Sequence, residues 1–309
     1  MSRAVAFLPE PALTPLAVEI MQDGDFVASE VSPEVIVQLK SDTYFDYGTT
    51  TFLEGVEDTT GEEDDVSEGG WEPTEATYNC KDFGHQMPMS QVLLQGSRYF
   101  GDDIRQAFTR ICASRVKVKR EQRTAARIFN AALYPAGYTG TPGVLWDNAA
   151  GKPLGDIQEA AFKLLGKGQG ELILVCGVDV WKALSKNADI LAAMRPTSQT
   201  GIAKPAEVAA LAQISAVYVA AAKVDGTNTF IWNTKHAALL VRSKSPSRFT
   251  ISCWHTFLLQ INGQTYATYN WQDMKRGAHG SEWIKSAYTA DIGVQVSPYS
   301  GYLFVSAVA

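Results

Sequence analysis

Histidines, cysteines and clustered carboxylates are the side chains best suited to move protons, attack carbonyls or hold metals. In this 309-residue chain they are few or poorly spaced for those tasks. His85, His236, His255 and His279 never fall at metal-ligand spacing. Cys80, Cys112, Cys176 and Cys253 are scattered with no C-x-x-C pair, the usage of reduced thiols rather than of a disulfide framework. Cys253 and His255 alternate along a predicted strand and share one face, where packing is the expected role rather than a zinc site or a thiol nucleophile. The segment LLGKGQGELILVCG looks like a phosphate cradle, but there the helix precedes the glycines and the strand follows, so Gly166 reads as a helix cap. Neither G-x-x-x-x-G-K-[ST] nor G-x-S-x-G occurs. No catalytic residue, metal ligand or cofactor is therefore expected, and the protein is read as structural.

The strongest pattern is one of charge. VEDTTGEEDDVSEGGW lies inside a stretch, residues 41–80, that holds no lysine or arginine. Its carboxylates, Glu62, Glu63, Asp64 and Asp65 at the centre, repel one another. Three readings are open: a solvated loop, a divalent cation, or a basic protein partner. EEDD lacks the alternating ligands and central glycine of a calcium loop. Directly afterwards comes the most basic segment, with Arg105, Arg110, Arg115, Lys117, Lys119, Arg120, Arg123 and Arg127. The two segments look complementary. A net charge of −6 and a pI near 5.3 exclude a protein whose whole surface coats nucleic acid, while leaving room for a basic face.

The elements that must position these charges follow from pattern. The beginning, with Pro9, Pro11, Pro15 and Pro33, reads as an extended arm whose apolar anchors are too few to order it without a neighbour, despite a short helical candidate over 13–21. Its apolar run is too short for a signal peptide. YFDYGTTTFLEG and EATYNCKDFG read as two strands joined by the acidic segment. Residues 97–133 read as one helix, with seven of nine positions apolar in the series Ile104, Phe108, Ile111, Arg115, Val118, Gln122, Ala125, Phe129 and Ala132. Then follow a helix over about 155–165, the strand ELILVCG, a helix VDVWKALSKNADILAAM, and hairpins turning at Asp225-Gly226 and Asn262-Gly263. QVSPYSGYLFVSAVA closes the chain as a strand pair. The apolar stretch 208–222 is shorter than the ~20 residues of a membrane span, so no membrane segment is expected.

This order of parts resembles the major capsid protein of tailed bacteriophages, the Hong Kong 97-type fold. The most specific pieces are YNCKDFGHQMPMS leading to KREQRTAARIFNAAL, then VLWDNAAGKPLGDIQEAAFKLLG, and LILVCGVDVWKALSKNADI. The resemblance implies an α+β chain with an N-terminal arm (1–36), an extended β-loop lying on a neighbouring subunit (37–96), a peripheral domain with a long spine helix (97–152), an axial α/β domain (153–285) and C-terminal strands returning to the peripheral domain (286–309).

It also implies self-assembly as pentamers and hexamers into an icosahedral shell enclosing double-stranded DNA without sequence specificity, in the virion and, during assembly, in the host cytoplasm. A separate scaffolding protein is expected, because the chain begins too close to its arm to include a scaffolding segment, along with a portal and decoration proteins. Some members weld loops through lysine and asparagine. The loop here holds no lysine between Lys40 and Lys81, so that chemistry is not carried over. Subunit-interface residues are expected at Glu62, Glu63, Asp64 and Asp65 against Arg115, Lys117, Lys119, Arg120 and Arg123. An encapsulin-like nanocompartment shell is the nearest alternative, and a cytosolic α/β enzyme a distant one.

Overall fold

The computed structural model describes residues 13–17, 26–46, 74–96, 101–194, 201–224, 229–276 and 278–309. In chain order its elements are α1 (Ala28–Val31), β1 (Glu34–Val37), β2 (Ser41–Asp46), β3 (Thr74–Asn79), β4 (Lys81–Ser90), α2 (Gln91–Gly96) and α3 (Gly101–Ile128). Next come β5 (Thr139–Gly140), α4 (Pro153–Leu164), β6 (Glu171–Gly177), α5 (Val178–Leu184), α6 (Ala188–Met194) and α7 (Pro205–Ala212). The remaining strands are β7 (Ala216–Ala220), β8 (Ala237–Arg242), β9 (Trp254–Leu259), β10 (Tyr266–Asp273), β11 (Ser281–Gln295) and β12 (Gly301–Phe304).

Two sheets and a ribbon organise them. The first sheet runs β1-β9-β11-β10, with β4 pairing the first part of β11. The second runs β5-β12-β8-β6-β7, and β2 pairs β3 alone. Helix α3 lies on one face of the first sheet, burying Val116 with Leu258, Tyr266 and Tyr288, and Cys112 with Met89 and Ile284. Its last turn, Ala125 and Ile128, packs with Ile173, Val175 and Trp232 against the second sheet. Helices α4 to α7 cover that sheet's other face around Ile157, Leu164, Leu184 and Val208.

The strands divide differently from the expected ranges. β9 and β10 lie inside 153–285, yet they join β11 and the spine helix in the first sheet. β12, expected to return there, completes the second sheet between β5 and β8. Sequence order could not show this, because β11 spans the change: one strand hydrogen-bonds to β10 and β4 early and to β9 late, across a bulge at 291–294 where Gly293 takes a positive φ of 60°.

The helix expected over 97–133 is α3, ending at Ile128, and residues 97–100 lie outside the described residues. Asn130 stops it by taking an extended conformation and accepting the Ala132 N–H with its side chain at 3.1 Å. The buried face also differs from the apolar series. Cys112, Val116, Arg120, Thr124 and Ile128 form one buried ridge, and Ala113, Lys117, Glu121 and Ala125 the next, while Ile111 is 41% exposed. Counting apolar residues misplaces the stripe, because three of the buried positions carry charge.

Smaller features follow the local chemistry. Gly166 is left-handed with φ 73° just past α4, as a helix cap requires. Asn262 and Gly263 have φ 51° and 80°, the pair a type I′ turn needs. Residues 225–228, with the other hairpin turn, lie outside the described residues. The helix expected over VDVWKALSKNADILAAM is two. Asn187 interrupts it, accepting the Asp189 N–H at 2.9 Å and donating to the carbonyls of Trp146 and Gly151. All four cysteines are buried and free, Cys80 included. Burial pushes the Cys112 thiol up to about 11 and Cys176 up to about 12.

Candidate intersubunit surface

The segment that leads into the body is anchored more firmly than its prolines suggest. Val27, Ala28 and Val31 are buried, and Leu13 sits among Met89, Cys112 and Ile284. Glu121 of α3 is 1% exposed; its carboxylate accepts the backbone N–H groups of Val27 and Ala28 at 3.1 and 3.0 Å and the indole N–H of Trp232 at 2.6 Å. Burial raises the pKa of this carboxyl, and the three donors pull it the other way. One residue along, Arg120 Nη1 donates to Glu34 Oε1 at 2.6 Å, and the Tyr266 hydroxyl donates to the same oxygen at 2.8 Å. Burial alone would lower the Arg120 guanidinium, but Tyr266 and Glu34 outweigh it and hold the group above its ordinary value. Lys117 places its ammonium 4.7 Å from the centre of the Phe26 ring.

Arm residues 26–37 are therefore seated on their own chain, contrary to the expectation that the arm up to about Pro33 needs a neighbour. A second ionic knot fastens them to the other sheet: Arg242 donates to the Glu30 carbonyl at 3.1 Å and pairs with both Glu30 and Glu171, while Lys244 adds a second cation to Glu171 at 3.2 Å.

The two-stranded ribbon of β2 and β3 is rooted on this body. Tyr78 stacks on Phe257 at 4.4 Å, Tyr44 packs on the same ring at 5.5 Å, and Arg248 pairs with Asp42. Asp291 accepts the Asn79 N–H at 3.0 Å. Ser41 pairs with Asn79 and Asp46 with Thr74, so the described parts of the two expected legs pair in register, while 47–55 of the first leg lie outside the described residues. The span between them, including Glu62, Glu63, Asp64 and Asp65, lies outside the described residues.

The five basic candidates separate. Lys117 and Arg120 point inward and are committed to Phe26, Glu34 and Tyr266, so they do not face a neighbour. Arg115, Lys119 and Arg123 are exposed at four-residue spacing and line a groove of about 910 Å³ between α3 and β4, together with Arg110 and His85. Arg115 lies 2.9 Å from His85 Nε2, Lys119 donates to Gln122 at 2.9 Å, and Arg123 covers the Phe83 ring at 4.2 Å. Burial and the adjacent Arg115 charge lower the His85 pKa, keeping that ring neutral near pH 7. Like charges four residues apart on a helix repel, and from Ile104 to Ile128 the sole acid is the buried Glu121. The groove is thus a cationic trough in which, among the described residues, the one acid is Asp82, held by Lys40 at 3.1 Å and Thr289 at 2.7 Å. Glu121, Glu34 and Arg105, which donates to Glu282 at 2.8 Å, position this surface with no local motif to mark them, save that Glu121 is a lone acid in a run of bases.

Cys253 and His255 both turn into the interior, at 1% and 0% exposure. The His255 Nε2 lies 2.6 Å from the Ser252 hydroxyl, and burial pushes the ring down to about 4.

No family model matches the chain, and no curated protein matches it either. Solved structures do. A phage-related protein from Bordetella bronchiseptica RB50 superposes over 98% of both chains with a TM-score of 0.75 at 16% identity. The putative capsid protein of a prophage of Escherichia coli CFT073 covers 97% of this chain and 99% of its own at a TM-score of 0.58 and 10% identity. The capsid of an empty GTA particle covers 91% of this chain and 90% of its own at 0.57 and 14%.

Proposed function

We propose that this chain, which has the Hong Kong 97-type capsid fold, is the major capsid protein of a tailed bacteriophage, a structural protein without turnover. It assembles as pentamers and hexamers into an icosahedral shell around double-stranded DNA, with separate scaffolding, portal and decoration proteins as partners. The observation that carries this reading is the match over 98% of this chain to a phage-related protein and over 97% of it to a prophage capsid protein. Negative-stain microscopy of the purified protein tests it. Closed shells of uniform diameter are expected, and a monodisperse monomer under all assembly conditions overturns it. Double-stranded DNA inside particles from infected cells, rather than a protein cargo, separates the phage shell from a nanocompartment.

Within that shell, the carboxylates Glu62, Glu63, Asp64 and Asp65 of one subunit meet Arg115, Lys119 and Arg123 in the trough of the next. Each exposed pair contributes only ~0–1 kcal/mol, so the effect comes from clustering and repetition around a closed lattice. Changing the four acids to lysine is expected to weaken assembly roughly ten- to a hundredfold, about 1–3 kcal/mol per contact. Partial rescue is expected when Arg115, Lys119 and Arg123 become glutamate. Raising salt to 1 M, where the Debye length is ~3 Å, should mimic the acid-to-lysine change in the parent. Assembly and heat resistance equal to the parent would mean that the loop is merely solvated. If the trough variant assembles normally but packages less DNA, the trough serves the phosphates instead.

A further inference from the structure

The cationic trough is bounded by open backbone as well as by charge. β4 hydrogen-bonds to β11 and, among the described residues, to no second strand. Three contacts fix which of its residues face β11. The Thr268 N–H of β10 donates to the Thr14 hydroxyl at 3.3 Å, so its cross-strand partner Ser286 turns its own backbone groups the other way, toward His85. The Ser286 carbonyl oxygen comes within 3.1 Å of where a Cβ on Gly84 would lie, which agrees with that direction. The Cys80 N–H, at the alternate position, turns away from β11 and donates to the Lys40 carbonyl at 2.8 Å. Phe83, His85 and Met87 therefore bond to β11, whereas Asp82, Gly84 and Gln86 turn their N–H and C=O groups to the open side. Pro88 occupies the next outward position, where a missing N–H costs no ladder bond.

Asp82, Gly84, Gln86 and Pro88 are all exposed. The trough of about 910 Å³ touches Asp82, Phe83, Gly84 and His85, and so does a groove of about 680 Å³ on the far side of the sheet. Consecutive residues, whose side chains alternate between faces, line both grooves only where the edge of the strand separates them. A row of open donors and acceptors on such an edge is a template for another strand. The surroundings determine what that strand carries. On the α3 side, Arg115 lies 2.9 Å from His85 and Arg123 covers the Phe83 ring at 4.2 Å, with Lys119 between them on the helix. Residues two apart on an added strand are separated by about 6.8 Å, as His85 and Phe83 are on β4, so carboxylates at alternate positions meet the two guanidinium groups in turn.

We propose that the open edge of β4 over 82–86 accepts an extended, acid-bearing segment of another polypeptide as an added antiparallel strand, its carboxylates at alternate positions facing Arg115, Lys119 and Arg123. This rests on the trough reading above for the sign of the charge and adds the backbone as a second half of recognition. In an antiparallel addition the residues opposite Asp82, Gly84 and Gln86 exchange hydrogen bonds with them and point to the far face, so the acidic residues turn their own N–H groups away from β4. The probe is a fluorescein-labelled peptide of alternating threonine and glutamate, titrated at low salt against the unassembled full chain by fluorescence polarisation. Methylating its threonine amide nitrogens is expected to weaken binding roughly tenfold, and methylating those of glutamate less than about threefold. Gln86→Pro, which removes an outward N–H and no ladder bond, should cause a loss like that of threonine methylation while leaving the thermal midpoint unchanged. Changing Arg115, Lys119 and Arg123 to glutamate should abolish binding. Equal affinity of the three peptides for the parent overturns the proposal, as does undiminished binding to the Gln86→Pro chain. If binding is still lost in the charge variant, the trough takes acids through side chains alone, and the charge reading survives the failure of strand addition. No binding of the unmethylated peptide to the parent also overturns the proposal, and the trough reading then stands or falls on the loop charge swap in the shell.

Discussion

Glu121→Ala is expected to destabilise the unassembled subunit by about 3–5 kcal/mol, because it strands three buried donors at once and each unsatisfied buried donor costs about 1–3 kcal/mol. The three donors belong to two parts of the molecule: the backbone N–H groups of Val27 and Ala28 in the arm, and the Trp232 indole beside the second sheet. The carboxylate on α3 is thus the point where arm, spine helix and second sheet are tied. Urea unfolding would show the loss as a lower midpoint, and limited proteolysis would show earlier cleavage around residues 26–33 than in the parent. Glu121→Gln should lie between, since its amide keeps one acceptor oxygen but turns an NH₂ group towards donors. Glu159→Ala, at a side chain 74% exposed, is the control and should stay within about 0.5 kcal/mol. A loss below 1 kcal/mol in Glu121→Ala would show that the arm is held by apolar packing alone.

Acid should loosen the fold through His255. Its folded-state pKa is depressed to about 4 by burial, against an ordinary 6.5. The unfolded chain therefore binds the proton first, and stability present above pH 6.5 is lost progressively as pH falls to 4. A gap of about 2.5 units corresponds to about 3 kcal/mol at 1.36 kcal/mol per unit. His255→Asn keeps a polar group near Ser252 but does not titrate. The difference in unfolding free energy between parent and variant should shrink steadily from pH 7 to pH 4. The salt-bridged Glu171 and Glu282, whose pKa values are lowered, also lose their contribution on acidification, starting as pH falls into the ordinary carboxylate range and continuing down through their folded values, but in both proteins alike. A parent-minus-variant difference that stays flat over this window would place the acid sensitivity elsewhere.

These two residues also mark how far the sequence could be read. His255 was legible as interior because strand alternation beside Cys253 and Trp254 needs only local pattern. The same holds for the ribbon legs, the helix cap at Gly166 and the Asn262-Gly263 turn, where residue type and immediate neighbours determine the backbone. Glu121, Arg120 and Lys117 were not legible. Their burial depends on partners 86 to 146 positions away, or on an arm whose docking no periodicity encodes: Glu34 and Tyr266 lie on strands joined only in the folded sheet. A charged residue reads as surface until such a partner is known.

What the sequence determined by itself was the order of parts, the long basic helix, the opposed acidic segment and the positions of the turns. Each arises from short-range chemistry: helix propensity, positive φ at glycine and asparagine, and like-charge clustering. Tertiary structure alone decided which strands share a sheet, sending β9 and β10 to the spine helix and β12 to the second sheet, because hydrogen bonding between strands is non-local and β11 serves two neighbours in turn. It also decided which cations remain outside. The rotation of α3 on its sheet turns Arg120 and Lys117 inward onto Glu34 and Phe26 and leaves Arg115, Lys119 and Arg123 along the trough. That rotation is set by close packing against Val116 and Cys112, and no count of charges along the chain contains it.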